Sequence, residues 1–171
     1  MKKESRNTII DKVAQYLHWL TIPKQEFGNM PICPYLDTEM RNDMLYIDIW
    51  YPTDNSFMDL MESFLLSSKN SALIVCPNTH TIDYSEVSRK TIQSQITDLL
   101  RKNPNTDYLK CMIFSPYEDF EVAGVKTRSG APYFLINVAP TKQLGKSHKD
   151  LQKTKYFQNF TDDEKKRLNV K

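Results

Sequence analysis

Apolar positions recur along this chain at helical spacing in some stretches and in short solid or alternating blocks in others, and the order of the two patterns predicts the architecture. In residues 7–20, Ile10, Val13, Leu17 and Leu20 share one helix face, with Ala14 beside them. Phe57, Leu60, Met61, Phe64 and Leu65 repeat that spacing around Asp59, Glu62 and Ser63, which predicts a helix over residues 57–66. A third stripe, Ile92, Ile96, Leu99 and Leu100, stops before Pro104. Asp83 with Glu86 three residues on reads as a capping box at its start, so this helix is predicted over residues 84–102. Near the end, Leu151, Thr154 and Phe157 suggest a short helix, and Thr161 with Glu164 forms a second capping-box pattern that opens the last one.

Strand patterns lie between these helices. Residues 44–51 alternate, with Leu45, Ile47, Ile49 and Tyr51 on one face and Met44, Tyr46, Asp48 and Trp50 on the other; Asp48 marks an edge strand or a partly open face. The run SALIVC, residues 71–76, is almost uninterrupted, as expected of a central strand covered on both faces. LKCMIF (109–114) and YFLINV (133–138) are further apolar blocks bounded by Pro or Gly. Two consecutive strand-helix-strand units predict parallel pairing of the first three strands, with the fourth antiparallel. The expected fold is one α/β domain over residues 1–171: a four-stranded mixed sheet, three parallel strands plus one antiparallel, with flanking helices. Residues 21–43 have no periodicity and three prolines, yet carry Phe27, Met30, Ile32, Tyr35 and Leu36, and read as an ordered loop packed onto the domain.

Composition narrows the function classes. At 171 residues, 40% hydrophobic and 26% charged, the chain can bury one core. Lys plus Arg number 23 against 21 Asp plus Glu, so the balance gives no electrostatic reason to expect a nucleic-acid or membrane partner. Residues 142–155 hold five lysines and one aspartate, which reads first as a solvated helix face. No apolar run is long enough to span a bilayer, and the opening residues lack the apolar core of a signal peptide; a cytoplasmic location is expected. Cys33, Cys76 and Cys111 have no paired spacing, which fits a reducing compartment. Four scattered glycines cannot form a phosphate loop or dinucleotide fingerprint, and the histidines and cysteines show no zinc spacing, so neither a cofactor nor a metal is expected.

Candidate chemistry gathers at the strand ends. In open α/β sheets ligands bind beyond the carboxyl ends of the parallel strands, and here those ends read Tyr51-Pro52, Cys76-Pro77-Asn78-Thr79-His80 and Ser115-Pro116-Tyr117. The returning strand begins after Arg128, Ser129 and Gly130 at the same edge, across the polar loop of residues 115–132. The expected rim therefore holds Asn78, Thr79, Ser115, Tyr117, Arg128 and Ser129 as ligand-binding residues. Arg128 offers a bidentate contact to a carboxylate or phosphate, together with free N–H groups of a helix starting near Asp83. Arg128 can instead pair with Glu118, Asp119 or Glu121 and only hold the loop. Cys33 is a candidate nucleophile if His80 comes within hydrogen-bonding reach; the plainer reading is a buried cysteine and a strand-end histidine.

The stretches PICPYL around Cys33, CPNT at a strand end, FSPYEDFEVAG and RSGAPYFLINV resemble, in order, elements of the bacterial domain-of-unknown-function 1415 family. The resemblance marks Cys33, Phe120, Arg128 and Ser129 as matched positions. It departs at Cys76-Pro77 and Ser115-Pro116, where the family carries His-Pro, and it implies no established activity.

Two functions compete at this stage. The first is a small-molecule enzyme or binding protein for an anionic ligand at the strand-end rim. The second is a non-catalytic interaction module that docks through Phe27, Tyr35 and Trp50 or through the lysine-rich stretch. A concave pocket at the strand ends favours the first, a flat apolar patch the second.

Overall fold

The computed structural model describes residues 4–128 and 130–170. Helix α1 (Arg6–Thr21) opens on Ser5, whose Oγ accepts from the Thr8 N–H, and buries Ile9, Val13, Leu17 and Leu20. Two short strands, β1 (Pro23–Lys24) and β2 (Met30–Pro31), form a small hairpin. Gly28 sits in its turn at φ 65°, where an added Cβ would lie 2.4 Å from the Lys155 carbonyl oxygen, so a side chain has no room. The stretch read as a loop then contains a helix, α2 (Pro34–Arg41), with Pro34 in its first turn and Leu36 buried. Its two turns are too short for the apolar spacing to show.

The main sheet contains β3 (Leu45–Ile49), β4 (Ser71–Cys76), β5 (Leu109–Phe114) and β8 (Phe134–Pro140), in the order β3-β4-β8-β5. The expectation of three parallel strands is wrong. β8 inserts between β4 and β5 and pairs antiparallel to both, which leaves β3–β4 as the one parallel pair among the described residues. The physical reason is readable in the burial. Residues 134–139 of β8 are buried on both faces and need cover from both neighbours, whereas β5 alternates buried Leu109, Cys111 and Ile113 with exposed Lys110 and half-buried Met112, the mark of an edge. Antiparallel to β8, β5 points the same way as β4, so the ends of β3, β4 and β5 and the start of β8 still share one edge.

Each sheet face carries its own core. On one, Ala72, Ile74, Cys76, Cys111, Ile113, Phe134, Ile136 and Val138 meet α3 (Phe57–Leu66) and α4 (Arg89–Lys102) through Phe57, Leu60, Met61, Phe64, Ile96 and Leu100. On the other, Ile49, Leu73, Val75 and Leu135 meet α1, Leu36 of α2 and an aromatic cluster of Phe27, Tyr156, Phe157 and Phe160 with ring centroids 4.8–5.7 Å apart. The cluster follows α5 (Thr141–Gln152), and the Tyr156 hydroxyl donates to the Ile32 carbonyl. Buried Glu39 of α2 accepts from Ser71 Oγ and Gln143 Nε2, both at 3.2 Å, tying α2, β4 and α5 together. Phe57–Leu66 is the helix expected there, and Ser56 and Asp59 close a reciprocal capping box at its start.

The loop after β5 is not featureless. It contains a two-residue hairpin, β6 (Glu121–Val122) and β7 (Val125–Lys126), turning through Ala123 and Gly124 at φ 50° and 77°. The last helix, α6 (Asp162–Arg167), opens on the Thr161–Glu164 capping box and clamps this hairpin. Glu164 Oε1 accepts from the Ala123 N–H at 2.9 Å, and Arg167 Nη2 donates to the Glu121 carbonyl at 3.0 Å.

Ile136→Ala, in the centre of β8, is expected to cost about 2–5 kcal/mol in urea unfolding, and Leu66→Ala, 86% exposed, less than about 0.5 kcal/mol. A mild Ile136→Ala would contradict the central placement of β8. The edge strand supplies a pH test. Burial alone would raise the Asp48 carboxyl, but hydrogen bonds from Arg6 (2.9 Å), the Ile49 N–H (2.8 Å) and the Tyr46 hydroxyl (3.0 Å) outweigh it and hold its pKa below the ordinary value. A depressed folded-state pKa gives stability that is present above the unfolded value and lost as pH falls through the folded one. Asp48→Asn should thus lower stability by about 1 kcal/mol at neutral pH, with the gap to wild type closing below about pH 4.

Candidate functional site

The shared strand edge opens into a cavity of about 460 Å³, within the usual range for small-molecule sites. Ile9 and Lys12 reach it from α1, Tyr51 and Thr53 from the end of β3, residues 77–81 from the end of β4, Tyr117 from the loop after β5, and Pro132 and Tyr133 from the entry to β8. Glu4 closes one side. Its carboxylate accepts from the Tyr133 hydroxyl at 2.7 Å and from Lys12, whose ammonium also lies 5.7 Å from the Tyr133 ring centre. Lys12 first, then Tyr133, lowers the Glu4 pKa; burial, then Glu4, raises that of Tyr133.

The structure therefore brings four of the expected residues, Asn78, Thr79, His80 and Tyr117, to one cavity. Two of them spend their polar groups on the loop itself. Asn78 Nδ2 donates to Asp83 Oδ1 and its Oδ1 accepts from the Tyr84 N–H, both at 2.9 Å; Thr79 Oγ1 accepts from the N–H groups of Thr81 (3.3 Å) and Ile82 (3.0 Å). His80 is exposed and forms no hydrogen bond among the described residues. The helix expected from Tyr84 is interrupted. Residues 84–86 form a single 3-10 turn capped by Asp83 Oδ1, and the α-helix begins at Arg89. Near Asp83, then, the backbone donors of Tyr84, Ser85 and Glu86 are already taken.

Ser115 is buried, and its Oγ accepts from the Tyr117 N–H at 3.3 Å, which positions that ring. Cys33 stands at the N-cap of α2, half-buried against the aromatic cluster, where burial pushes its thiol up; no hydrogen bond joins it to His80 among the described residues. Ser129 lies outside the described residues.

Arg128 has a setting of its own. Its guanidinium lies 4.0 Å from the Phe120 ring centre and 6.0 Å from that of Phe114, and Arg167 lies 4.8 Å from Phe120. Burial, then the neighbouring Arg89, lowers its pKa from the ordinary value, although a guanidinium stays charged at any working pH. None of the three acids expected to pair with it does so among the described residues. Glu118 is held by Arg89, through Nε at 2.7 Å and the backbone N–H at 3.3 Å; Asp119 pairs with Lys126 at 3.2 Å; and Glu121 contributes its carbonyl to Arg167. No Arg128 side-chain hydrogen bond or ion pair is formed within the described residues.

Arg128 does not itself line the cavity, but two chain segments link it to residues that do. Tyr117 lines the cavity and Glu118, the next residue, faces the arginines; Lys12 lines it, and Tyr16, one helical turn on, faces Arg128 and donates to the Thr127 carbonyl at 2.6 Å. Sequence reasoning missed Lys12, Glu4, Tyr133, Arg89 and Arg167. Contacts between residues so far apart in the chain leave no local pattern, although the SRK stretch before the Ile92 stripe does place a base at the true start of α4. Among the described residues no group of three or more His, Cys, Asp or Glu is placed to hold a metal, and no helix is long and apolar enough to cross a membrane.

The surfaces considered for docking look different once folded. Phe27 is buried, Trp50 packs on Phe57 and donates to the Asn55 carbonyl at 3.1 Å, and Tyr35 is half-buried. Lys142, Lys146 and Lys149 do share one face of α5, continued by Lys153 at its C-cap. No family model matches the chain, and neither a curated protein nor a solved structure matches it.

In the native protein Cys33 is expected to react with a thiol reagent many-fold more slowly than in urea, as are buried Cys76 and Cys111. Rapid native labelling of Cys33, mapped by mass spectrometry, would contradict its packing against the aromatic cluster.

Proposed function

We propose that this chain binds a small anionic ligand at the carboxyl edge of its sheet, with the ligand's body in the 460 Å³ cavity and its charge on Arg128. The observation that carries the reading is Arg128 itself: a largely desolvated guanidinium, flanked by Arg89 and Arg167, with no acid hydrogen-bonded or ion-paired to it among the described residues, since the one acid whose field reaches it, Glu118, is bonded to Arg89. A structural arginine is ordinarily paired when it loses water, because burying an unpaired charge is costly. The Phe120 face offsets part of that cost and leaves the N–H groups for an incoming acceptor. Phe120 and Arg128 are also two of the positions matched in the resemblance to the 1415 family. His80 is the imidazole of the cavity free to donate to or accept from a bound molecule, while Asn78 and Thr79 shape the wall and buried Ser115 holds the Tyr117 backbone from behind it.

Thermal-shift screening with sulfate, phosphate and small carboxylates should find an anion that stabilises the fold. Arg128→Ala should weaken it on the order of ten- to a hundredfold, and Arg128→Lys less. Tyr117→Ala should weaken ligands with an apolar body and leave a bare anion unaffected. If no anion stabilises the wild type, the reading fails.

A further inference from the structure

Glu118 has an unusual position for a loop carboxylate. Ser88, the N-cap of α4, makes no side-chain capping bond, and Glu118 fills that role from a distant loop, with one oxygen on the Arg89 N–H and the other on Arg89 Nε. Arg89 is further fixed by Gln93 Oε1 at 3.2 Å. The two oxygens thus sit where two oxygens of a bound anion would, on a guanidinium and a backbone donor, and Phe120, two residues on from Glu118, carries the Arg128 guanidinium 4.0 Å from its ring centre. The charges around them do not balance. Arg167 faces Glu164 and is tied to the hairpin, and Arg89 is matched by Glu118, so among the described residues Arg128 is the cation of this group without a bonded acid.

We propose that the anion recognised at this edge is a phosphoryl group seated between Arg89 and Arg128, and that in the free protein Glu118 occupies that seat as an internal stand-in which the ligand displaces. The proposal rests on the anionic-ligand reading and adds to it the chemical class and a gate. A carboxylate that displaced Glu118 would exchange one single charge for another and leave Arg128 as unmatched as before. A phosphoryl dianion carries charge enough for both guanidiniums, and with two oxygens in place of those of Glu118 it keeps a third for Arg128. Displacement also frees the loop of residues 115–120, whose Tyr117 lines the cavity, so anion binding and access to the cavity are coupled.

The test uses the full chain with three probes: inorganic phosphate, phenyl phosphate and benzoate, followed by calorimetry or thermal shift. Glu118→Gln removes the competing charge and keeps the shape, so it should tighten both phosphates on the order of tenfold and change benzoate little. Arg89→Lys and Arg128→Lys should each weaken the phosphates by a similar factor. In the wild type, which needs no variant to fold, phenyl phosphate should bind more tightly as pH rises through about 6 and the dianion forms, while benzoate stays flat. Unchanged or weaker phosphate binding in Glu118→Gln, or a flat pH profile for phenyl phosphate, overturns the stand-in and phosphoryl assignments. If benzoate binds through Arg128 and the phosphates do not, the phosphoryl class fails and the anionic-ligand reading stands. If none of the three binds either protein, that reading falls as well.

Discussion

A strand that enters the middle of a sheet must find backbone partners on both edges and apolar cover on both faces, and β8 is where this chain meets that constraint. Its backbone pairs with β4 from Ala72 to Cys76 and with β5 from Leu109 to Phe114. Its side chains alternate into the two cores, Phe134, Ile136 and Val138 toward α3 and α4, Leu135 toward α1. Without it the β3–β4 pair and the β5–α4 unit would share no hydrogen-bonded seam. The same insertion decides where function can be. Because β8 runs against its neighbours, its entry segment meets the exits of the other three strands, and the residues around Arg128 and Tyr133 arrive at the edge where Tyr51, Pro77 and Ser115 leave.

That edge is under a second constraint, which is charge in a place that has lost much of its water. The loop of residues 115–132 is pinned from several sides: Tyr16 holds the Thr127 carbonyl, Glu164 the Ala123 N–H, Arg167 the Glu121 carbonyl, and Arg89 the Glu118 carboxylate. Each ion or polar group in that set has a partner. Arg128 has aromatic faces, two like-charged neighbours and only the more distant field of Glu118, with no bonded acid among the described residues. The pins at Glu121, Ala123 and Thr127 do not involve Glu118, so they can hold the guanidinium in a fixed direction, and preorganised donors bind an anion without first having to order themselves.

The legible part of the sequence was what repeats over a few residues. Helical stripes located α1, α3 and α4, an alternating pattern located β3 and solid apolar blocks the other three main strands, and the Thr161–Glu164 pair located the start of α6. Asp48 in an otherwise apolar strand pointed to an edge, and β3 is one. Strand order was not legible in the helix-strand alternation alone, since the same alternation suits a parallel stack or an inserted final strand; the discriminating sign was Lys110 inside LKCMIF, which a central strand would not expose. The rim was legible in outline, because proline-terminated strands mark their own ends. The partners of Arg128 were not: choosing among Glu118, Asp119 and Glu121 required knowing that Arg89, 29 residues from Glu118, comes to the same place. The Asp83–Glu86 pattern misled for a local reason, since Asp83 spends its carboxylate on the Ser85 N–H and hydroxyl and on Asn78 within a single turn.

The claim at the centre of this account is that Arg128 is a charge waiting for an acceptor at the strand edge. Its Nε–H resonance reports on that directly in nitrogen-15 labelled protein, identified by its loss in Arg128→Lys and followed as phosphate or benzoate is added. The account predicts a saturable shift of the Arg128 signal, while that of Arg41, already bonded to Asp37 in α2, stays in place. An Arg128 signal that does not move while the same anion stabilises the fold would contradict it.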